Sequence, residues 1–272
     1  EERLTKAKAA VDRALRLDPA LPEAHMSLGY YYYWGRLDYE NALSELSIAL
    51  KGKPNDGRLL LGIGAVQRRQ GKMKEAIASM TRAIEIDPRR SEYLYNTAQT
   101  YELLRDFARA EDYVTRAISL SPDLIGTYDT YVTVLVKKDG NTPRAREAIK
   151  KASLLNDYPG YTTIHNWAVQ LELYDGNYTE ALRIAESRMP QPLSNQFFYQ
   201  PRSLILAEIN SLLKNNRAAS LYDSARVELE QKIHDDPGDA RYHSALGIAL
   251  AGLGRKDVAI AAGKKGVELL PL

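Results

Sequence analysis

Proline recurs in this chain at a nearly fixed interval: Pro19, Pro54, Pro88 and Pro122 are 35, 34 and 34 residues apart, and Pro237 is followed 34 residues later by Pro271. A period of this length makes each unit one supersecondary element that buries its apolar face only by stacking on the next. Proline lacks an N–H and biases the residue before it away from helix, so LDP, KGKP, IDP and LSP each close a segment. Between these marks one skeleton recurs, clearest in GRLLLGIGAVQRRQGKMKEAIASMTRAIEIDP. It has an apolar-periodic segment, a turn near Gly71, then Ala76, Met80 and Ala83 before Pro88. Each unit reads as two helices.

With 272 residues, 44% of them hydrophobic and 26% charged, the chain can bury a sizeable core, which excludes a disordered or collagen-like polypeptide. Lys+Arg 37 against Asp+Glu 35 leaves a formal charge of +2, so no overall basic field holds it on nucleic acid or an anionic membrane. The longest uninterrupted apolar stretch, Leu59 to Val66, is far below the roughly 18 residues that span a bilayer. Zero cysteines exclude disulfides, thiolate nucleophiles and Cys-ligated zinc. They fit a reducing or an oxidising compartment equally, so localisation stays open between cytoplasm and periplasm. The chain opens at Glu1 inside a unit, with KAKAAVDRALRLDP as a lone second helix, so preceding repeats are expected to have been trimmed from a longer protein.

Small residues at repeat positions 8 (Gly29, Gly64, Ala98, Gly247) and 20 (Ala42, Ala76, Ala110, Ala145, Ala181, Ala259) let paired helices approach closely, with larger apolar residues around them. This skeleton resembles the tetratricopeptide repeat, whose pattern places Leu-Gly at positions 7 and 8, Tyr at 11, Gly at 15, Tyr at 17, Ala at 20 and 27, and Pro at 32. Leu28, Gly29, Tyr32, Tyr39, Ala42, Ala49 and Pro54 carry it in unit 22–56, with one extra residue in the turn. Units 57–90 and 91–124 fit without insertion, 125–160 and 161–192 more loosely, and 240–272 through Leu246, Gly247, Gly254, Ala259 and Pro271. Residues 1–21 form a partial unit, and 201–239 is a unit with an overlong second helix. Between Met189 and Pro201 the rhythm breaks, leaving 193–200 irregular. There the cluster Phe197, Phe198 and Tyr199 is expected to plug its own loop against the solenoid, with a second sticky patch as the alternative. Gly263 and Gly266 stand where the family prefers bulk and alanine, so the last helix is expected to pack weakly.

The resemblance implies an all-α, right-handed superhelical solenoid of about seven helix pairs plus an opening single helix, forming one domain over 1–272. It also implies a concave face lined by positions 2, 5, 9, 12 and 13 of the first helices. Carried over, these are Met26, Tyr30, Tyr33 and Trp34; Arg68 and Arg69; Tyr95, Gln99 and Glu102; Asp129, Thr133 and Lys137; and His165 and Glu172. Aromatic and arginine side chains are the composition expected of a peptide-binding groove. Four consecutive tyrosines cannot share one side of a helix turning about 100° per residue. Tyr32 is therefore expected in the core, with Tyr30, Tyr33 and Trp34 toward the groove or its rim, either to contact a ligand or to pack between repeats. The family's carboxylate clamp for chaperone C-termini needs Lys at position 5 and Asn at position 9. This chain has Met26 with Tyr30, Leu61 with Ala65 and Tyr95 with Gln99, so chaperone binding is not expected.

No catalytic residue, cofactor or metal is called for. The four histidines (His25, His165, His234, His243) are scattered, and His25 and His243 both fall at position 4, a packing place in the family. His234, Asp235 and Asp236 point in different directions at a helix end and lack a fourth ligand. Gly62-Ile63-Gly64 and Gly252-Leu253-Gly254 follow no strand and fall where the repeat already requires small residues. The sequon Asn177-Tyr178-Thr179 has its Tyr explained as repeat position 17.

The expected function is non-catalytic binding of a peptide or protein partner in the groove. Tracts such as YYYYWGRLDYENALSEL and GAVQRRQGKMKEAI resemble the repeats of bacterial signalling proteins (nucleotide cyclases, Ser/Thr kinases, transcriptional regulators), which implies a scaffold or sensory arm beside an effector. The alternatives are an oligomerisation element, dimerising through the apolar ending Val267, Leu269, Leu270 and Leu272, and the substrate-presenting repeats of an enzyme such as a glycosyltransferase.

Overall fold

The computed structural model describes residues 2–140, 142–155, 162–189, 192–195 and 198–269. Helix α1 (Glu2–Leu17) is followed by α2 (Pro22–Tyr30) with α3 (Tyr39–Gly52), α4 (Gly57–Arg69) with α5 (Met73–Ile86), α6 (Ser91–Leu103) with α7 (Phe107–Leu120), and α8 (Ile125–Asp139) with α9 (Thr142–Ser153). The later pairs are α10 (Thr162–Tyr174) with α11 (Tyr178–Arg188), α12 (Arg202–Leu212) with α13 (Arg217–Asp235), and α14 (Ala240–Gly252) with α15 (Lys256–Leu269). Contacts divide the chain into two compact units, Glu1–Ala145 and Arg146–Leu272. In the first, each helix from α1 to α7 packs on its successor, and in the second the same holds from α10 to α14. Each unit is an all-α solenoid, because a helix pair with two apolar faces is covered only by its neighbours.

Helix pairing rests on the small positions. A Cβ at Gly29 would lie 2.7 Å from Leu46 Cγ and 3.2 Å from the Ala42 carbonyl oxygen. One at Gly64 would lie 2.8 Å from Met80 Cγ and 3.0 Å from the Ala76 carbonyl oxygen. Ala42, Ala76, Ala110, Ala145 and Ala181 are wholly buried. The weak packing expected of the last helix, α15, is seen at Gly263, where an added Cβ would meet nothing within 4 Å, and not at Gly266. Its Gly266 faces Ser244 with no room for a side chain, and a Cβ at Gly247 would lie 3.2 Å from the Gly263 backbone nitrogen. These glycines draw α14 and α15 together.

Seven turns join the paired helices, and each contains one left-handed residue: Leu37, Gly71, Arg105, Gly140, Gly176, Lys214 and Gly254. The following N–H reaches back five residues to a carbonyl in five of them: Lys72 to Gln67, Asp106 to Tyr101, Asn177 to Glu172, Asn215 to Asn210 and Arg255 to Leu250, at 2.8–2.9 Å. This is the Schellman closure, which satisfies carbonyls at a helix end. In the first pair the equivalent bond, Asp38 to the Tyr32 carbonyl at 3.0 Å, spans six residues. The extra residue of unit 22–56 is thus taken up inside the first helix, as a π turn over Tyr31–Arg36, and not in the interhelical turn.

A side chain at repeat position 4 ties down the preceding loop in three places. His25 Nε2 meets the Pro19 carbonyl at 2.9 Å, Tyr128 donates its hydroxyl to the Pro122 carbonyl at 3.1 Å, and His243 Nε2 meets the Pro237 carbonyl at 3.0 Å. His25 is buried, and its Nδ1 lies 2.6 Å from Glu45 Oε2. Burial disfavours the charged ring, but with acceptors at both nitrogens the His25 pKa is raised above its ordinary value.

The irregular stretch holds the described residues' one ribbon, β1 (Leu193–Ser194) antiparallel to β2 (Tyr199–Gln200), which the all-α expectation did not include. Leu193 is buried among Met189, Ile205 and Ile209. Tyr199 is buried edge-on to Tyr242, 5.0 Å between ring centres, and donates to Glu228 Oε1 at 2.7 Å. These two anchor the ribbon, whereas Phe198 is exposed and Phe197 lies outside the described residues.

A left-handed conformation costs a residue with a Cβ about 1 kcal/mol that glycine avoids. Arg105→Gly and Lys214→Gly are each expected to raise the unfolding free energy by about 0.5–1 kcal/mol in urea titrations, after allowing for glycine's freer unfolded chain. A raised folded pKa at His25 stabilises fully below the unfolded value of about 6.5, and this contribution is lost as pH rises through the folded value. Stability is therefore expected to fall as pH rises above about 6.5, and Glu45→Gln to flatten that dependence.

Candidate interaction site on the first-helix face

The π turn decides what the tyrosine run presents. Its wider i→i+5 coil moves each later side chain one place around the helix. With the insertion taken up before it, Tyr33 occupies repeat position 11 and is 4% exposed, packed with Ala42, Leu46 and Leu59. Tyr32 is only half-buried at the edge of that cluster. The expectation that Tyr32 enters the core and Tyr33 faces the groove is therefore reversed, because the register slips by one within the helix. Trp34 is left 62% exposed, held edge-on against Tyr33 with ring centres 4.5 Å apart. Leu4 of α1 packs on the same turn, 2.5 Å from where a Cβ of Gly35 would stand.

Across the first unit the remaining face residues divide into those that join helices and those that stay open. Tyr30 lays its ring over Gly62 of α4 and donates its hydroxyl to the Arg58 carbonyl at 3.4 Å. Burial raises its pKa to about 12. Tyr30 is thus a packing residue between α2 and α4. Arg68, expected on the open face, is 9% exposed, because its guanidinium turns into the seam between α4 and α6. There Nη1 donates to the Asn96 carbonyl at 3.1 Å and to Thr100 Oγ1 at 3.3 Å. Lys137 of α8 pairs with Glu102 of α6 at 2.6 Å. Gln99 Nε2 donates to the Tyr95 hydroxyl at 2.9 Å, and Thr133 donates to the Asp129 carbonyl at 2.9 Å within its own helix. Met26, Arg69, Tyr95, Gln99, Glu102, Asp129 and Thr133 are half-buried, and Lys137 is exposed. Leu37, Leu103 and Leu104 are also exposed beside the turns that end their helices. Helical periodicity gives no sign of these three, although an apolar residue at a turn is a local cue.

In the second unit, His165 on α10 is half-buried. Glu172, expected to line the groove, is 8% exposed. Its carboxylate is held by Arg146 Nη1 and by Asn177 Nδ2 at 3.0 Å, while Arg146 Nη2 reaches Asp175 at 2.7 Å. Glu172 is fixed as an internal counter-charge to Arg146, which removes it from the open face.

His25 and His243 are engaged by the loop carbonyls, and among the described residues no group of three His, Asp or Glu is placed to hold a metal ion. Gly62 and Gly64 lie within α4. Among the described residues no helix is long and apolar enough to cross a membrane.

A tetratricopeptide repeat family profile matches residues 31–91 and 206–271, and a second profile of the same repeat matches residues 91–124. Anaphase-promoting complex subunit 3 of Schizosaccharomyces pombe is 26% identical over 116 residues, 43% of this chain. The chain thus spans only 17% of the length of that curated relative. A tetratricopeptide repeat protein from Parabacteroides merdae superposes with a TM-score of 0.62 at 21% identity, covering 92% of this chain and 93% of its own. PilF of Pseudomonas aeruginosa superposes with a TM-score of 0.57 at 18% identity, covering 68% and 82%. At these identities the likeness shows the fold alone. Taken with the matched residues, the chain belongs to the tetratricopeptide repeat family, whose helical arrays are generally non-catalytic scaffolds for protein–protein interaction.

Proposed function

We propose that the first-helix face of the first unit binds a peptide segment of a partner protein, with Trp34 as its anchor. The observation that carries this reading is Trp34 itself. A large aromatic packs edge-on against a buried tyrosine yet is left open to solvent, at one end of a run of first helices that carry half-buried Met26, Arg69, Tyr95 and Gln99. Such a preset aromatic gives large contact area at little entropic cost. Asp129, Thr133 and Lys137 extend the face on α8, and His165 offers a corresponding position in the second unit. Tyr30, Tyr33, Arg68 and Glu172 support the framework. In a longer bacterial signalling protein such an array serves as a scaffold or sensory arm. That narrower role rests on the resemblance of the repeat tracts alone.

Tyr30→Ala is a poor probe, since it opens a cavity between α2 and α4. Trp34→Ala removes mostly exposed surface together with one edge contact to Tyr33. Peptides selected from a displayed library on the immobilised protein are expected to bind Trp34→Ala about thirtyfold more weakly, as for a hot-spot aromatic, with circular dichroism unchanged. Undiminished binding of the selected peptides by this variant would remove the assignment.

A second reading has one observation in its favour. In α14 and α15, Ile248, Val258, Ile260 and Val267 are all exposed, and Ile260 and Val267, seven residues apart, share one side of α15 that self-association would cover. Leu269 is half-buried, and Leu270 and Leu272 lie outside the described residues. On this reading Ile260→Lys with Val267→Lys converts a dimer to a monomer in light scattering; a wild-type mass equal to one chain at all concentrations rejects it.

A further inference from the structure

Four tyrosines stand in line from Tyr30 to Tyr33, and two of them are committed to packing. Tyr30 covers Gly62, and Tyr33 fills the seam between α2 and α3. Tyr32 is the chain neighbour of that buried ring and already packs on the edge of the same cluster. Tyr33 meets Tyr39 at a tilt, 6.0 Å between ring centres, and its hydroxyl accepts from Arg69 Nε at 3.4 Å. Both interactions ask for a phenol at this place and are met equally well by the side chain next door. In unit 91–124 the corresponding seam is filled by Tyr101, also buried, which stands between Thr100 and Glu102 and has no such neighbour.

The extra residue of unit 22–56 has two places to go. Held in the π turn, it sets Tyr33 at repeat position 11, Trp34 at 12 and Gly35 at 13. Moved into the interhelical turn, it sets Tyr32 at 11, Tyr33 at 12 and Trp34 at 13, with α2 up to Tyr30 and α3 from Tyr39 left in place. That exchange keeps a tyrosine in the core, releases the widened coil, and lets Gly35 take the left-handed place that Leu37 now fills at φ 53°. Two contacts hold the observed register. Arg36 Nε donates to the Tyr31 hydroxyl at 2.8 Å, with the guanidinium 5.5 Å over that ring. Residues five apart face each other in a π coil but stand about 140° apart around an α-helix, so this pair belongs to the π register. The second contact is Leu4 of α1, only 2.5 Å from where a Cβ of Gly35 would stand, which leaves no room for an indole at position 13. Helix α1 is itself lightly held, with Val11 its one buried side chain.

We propose that Tyr31–Leu37 is a two-register switch in which Tyr32 stands ready to replace Tyr33, and that docking of α1 decides which aromatic occupies position 12 of the first-helix face. With Leu4 seated on Gly35 the face presents the indole of Trp34; with α1 released it presents the phenol of Tyr33. The consequence for a ligand, though not the switch, rests on the peptide-binding reading above. A partner that grips the indole and the docked α1 favour the same register, so each strengthens the other.

The test compares urea unfolding of Tyr33→Ser, Tyr32→Ser and the double variant with that of Tyr101→Ser, all in the whole chain. Because Tyr32 takes over the vacated place, Tyr33→Ser is expected to lower the midpoint by roughly half as much as Tyr101→Ser, or less. The double variant, with no tyrosine left to move in, is expected to lose more than the two single variants together. The register is read from acrylamide quenching of Trp34 in a Trp167→Phe background. Tyr33→Ser turns the indole toward Leu4 and is expected to lower the quenching constant. Leu4→Ala, which makes room at position 13, is expected to lower it as well. Failure of Tyr33→Ser to fold, a loss equal to that of Tyr101→Ser, or additive losses in the double variant overturns the proposal. A mild Tyr33→Ser with a raised or unchanged quenching constant also overturns it, since the chain then tolerates a cavity and Trp34 merely loses its edge contact. Quenching that Leu4→Ala leaves unchanged overturns the control by α1. None of these measurements uses a peptide, so their failure leaves the Trp34 anchor standing, and undiminished peptide binding by Trp34→Ala leaves the switch standing.

Discussion

Close contact between the two helices of each pair is the constraint from which the rest follows. Where Gly29 meets Leu46 and the Ala42 carbonyl, or Gly64 meets Met80 and the Ala76 carbonyl, there is no space for one more methyl group. Backbones this near fix the rotation of each helix about its axis, and so decide which side chains enter the seam and which remain on the outer surfaces. The interhelical turns then need a reversal of fixed geometry. All seven achieve it with a left-handed residue, whether or not glycine is present to adopt it easily. The order of causes runs from small side chains to helix spacing, from spacing to turn, and from turn to the face offered to a partner.

That face does two jobs, and the first limits the second. Tyr30 over Gly62, Arg68 on Asn96 and Thr100, and Lys137 on Glu102 each join one first helix to the next. Nearest-neighbour bonds of this kind set the stability of a repeat array, since no helix pair reaches beyond its flanks. Residues spent on joining repeats are not available to a ligand. What remains open is narrower than a roll of alternating positions suggests, and centres on Trp34.

The helix pairs were legible because their determinants are local and repeated: proline stops, small residues at two fixed places, and glycine where the turn reverses. Ala76, Met80 and Ala83 fall inside exactly as their spacing requires. The identity of open residues was less legible, for two physical reasons. One is the π turn, which hydrogen bonding alone reveals and which exchanges the roles of Tyr32 and Tyr33. The other is reach: arginine and glutamate side chains are long enough to leave a face position and finish in a seam, as Arg68 and Glu172 do. Periodicity gives the direction of a Cβ and says nothing about where a flexible chain of four more atoms ends. The ribbon at Leu193 and Tyr199 was equally hidden, because a two-residue pairing is too short to leave a pattern.

The widened coil at Tyr31–Arg36 has a bearing on how repeat lengths drift. A residue added to a regular helix would rotate everything beyond it by about 100° and turn buried side chains outward. Here the addition is absorbed within a single loop of backbone, so α3 still meets its partner with Ala42 and Leu46 inward. Helical arrays can therefore tolerate single-residue length changes without misaligning downstream units, provided the slack is confined near a helix terminus, where its by-product is a newly displayed aromatic.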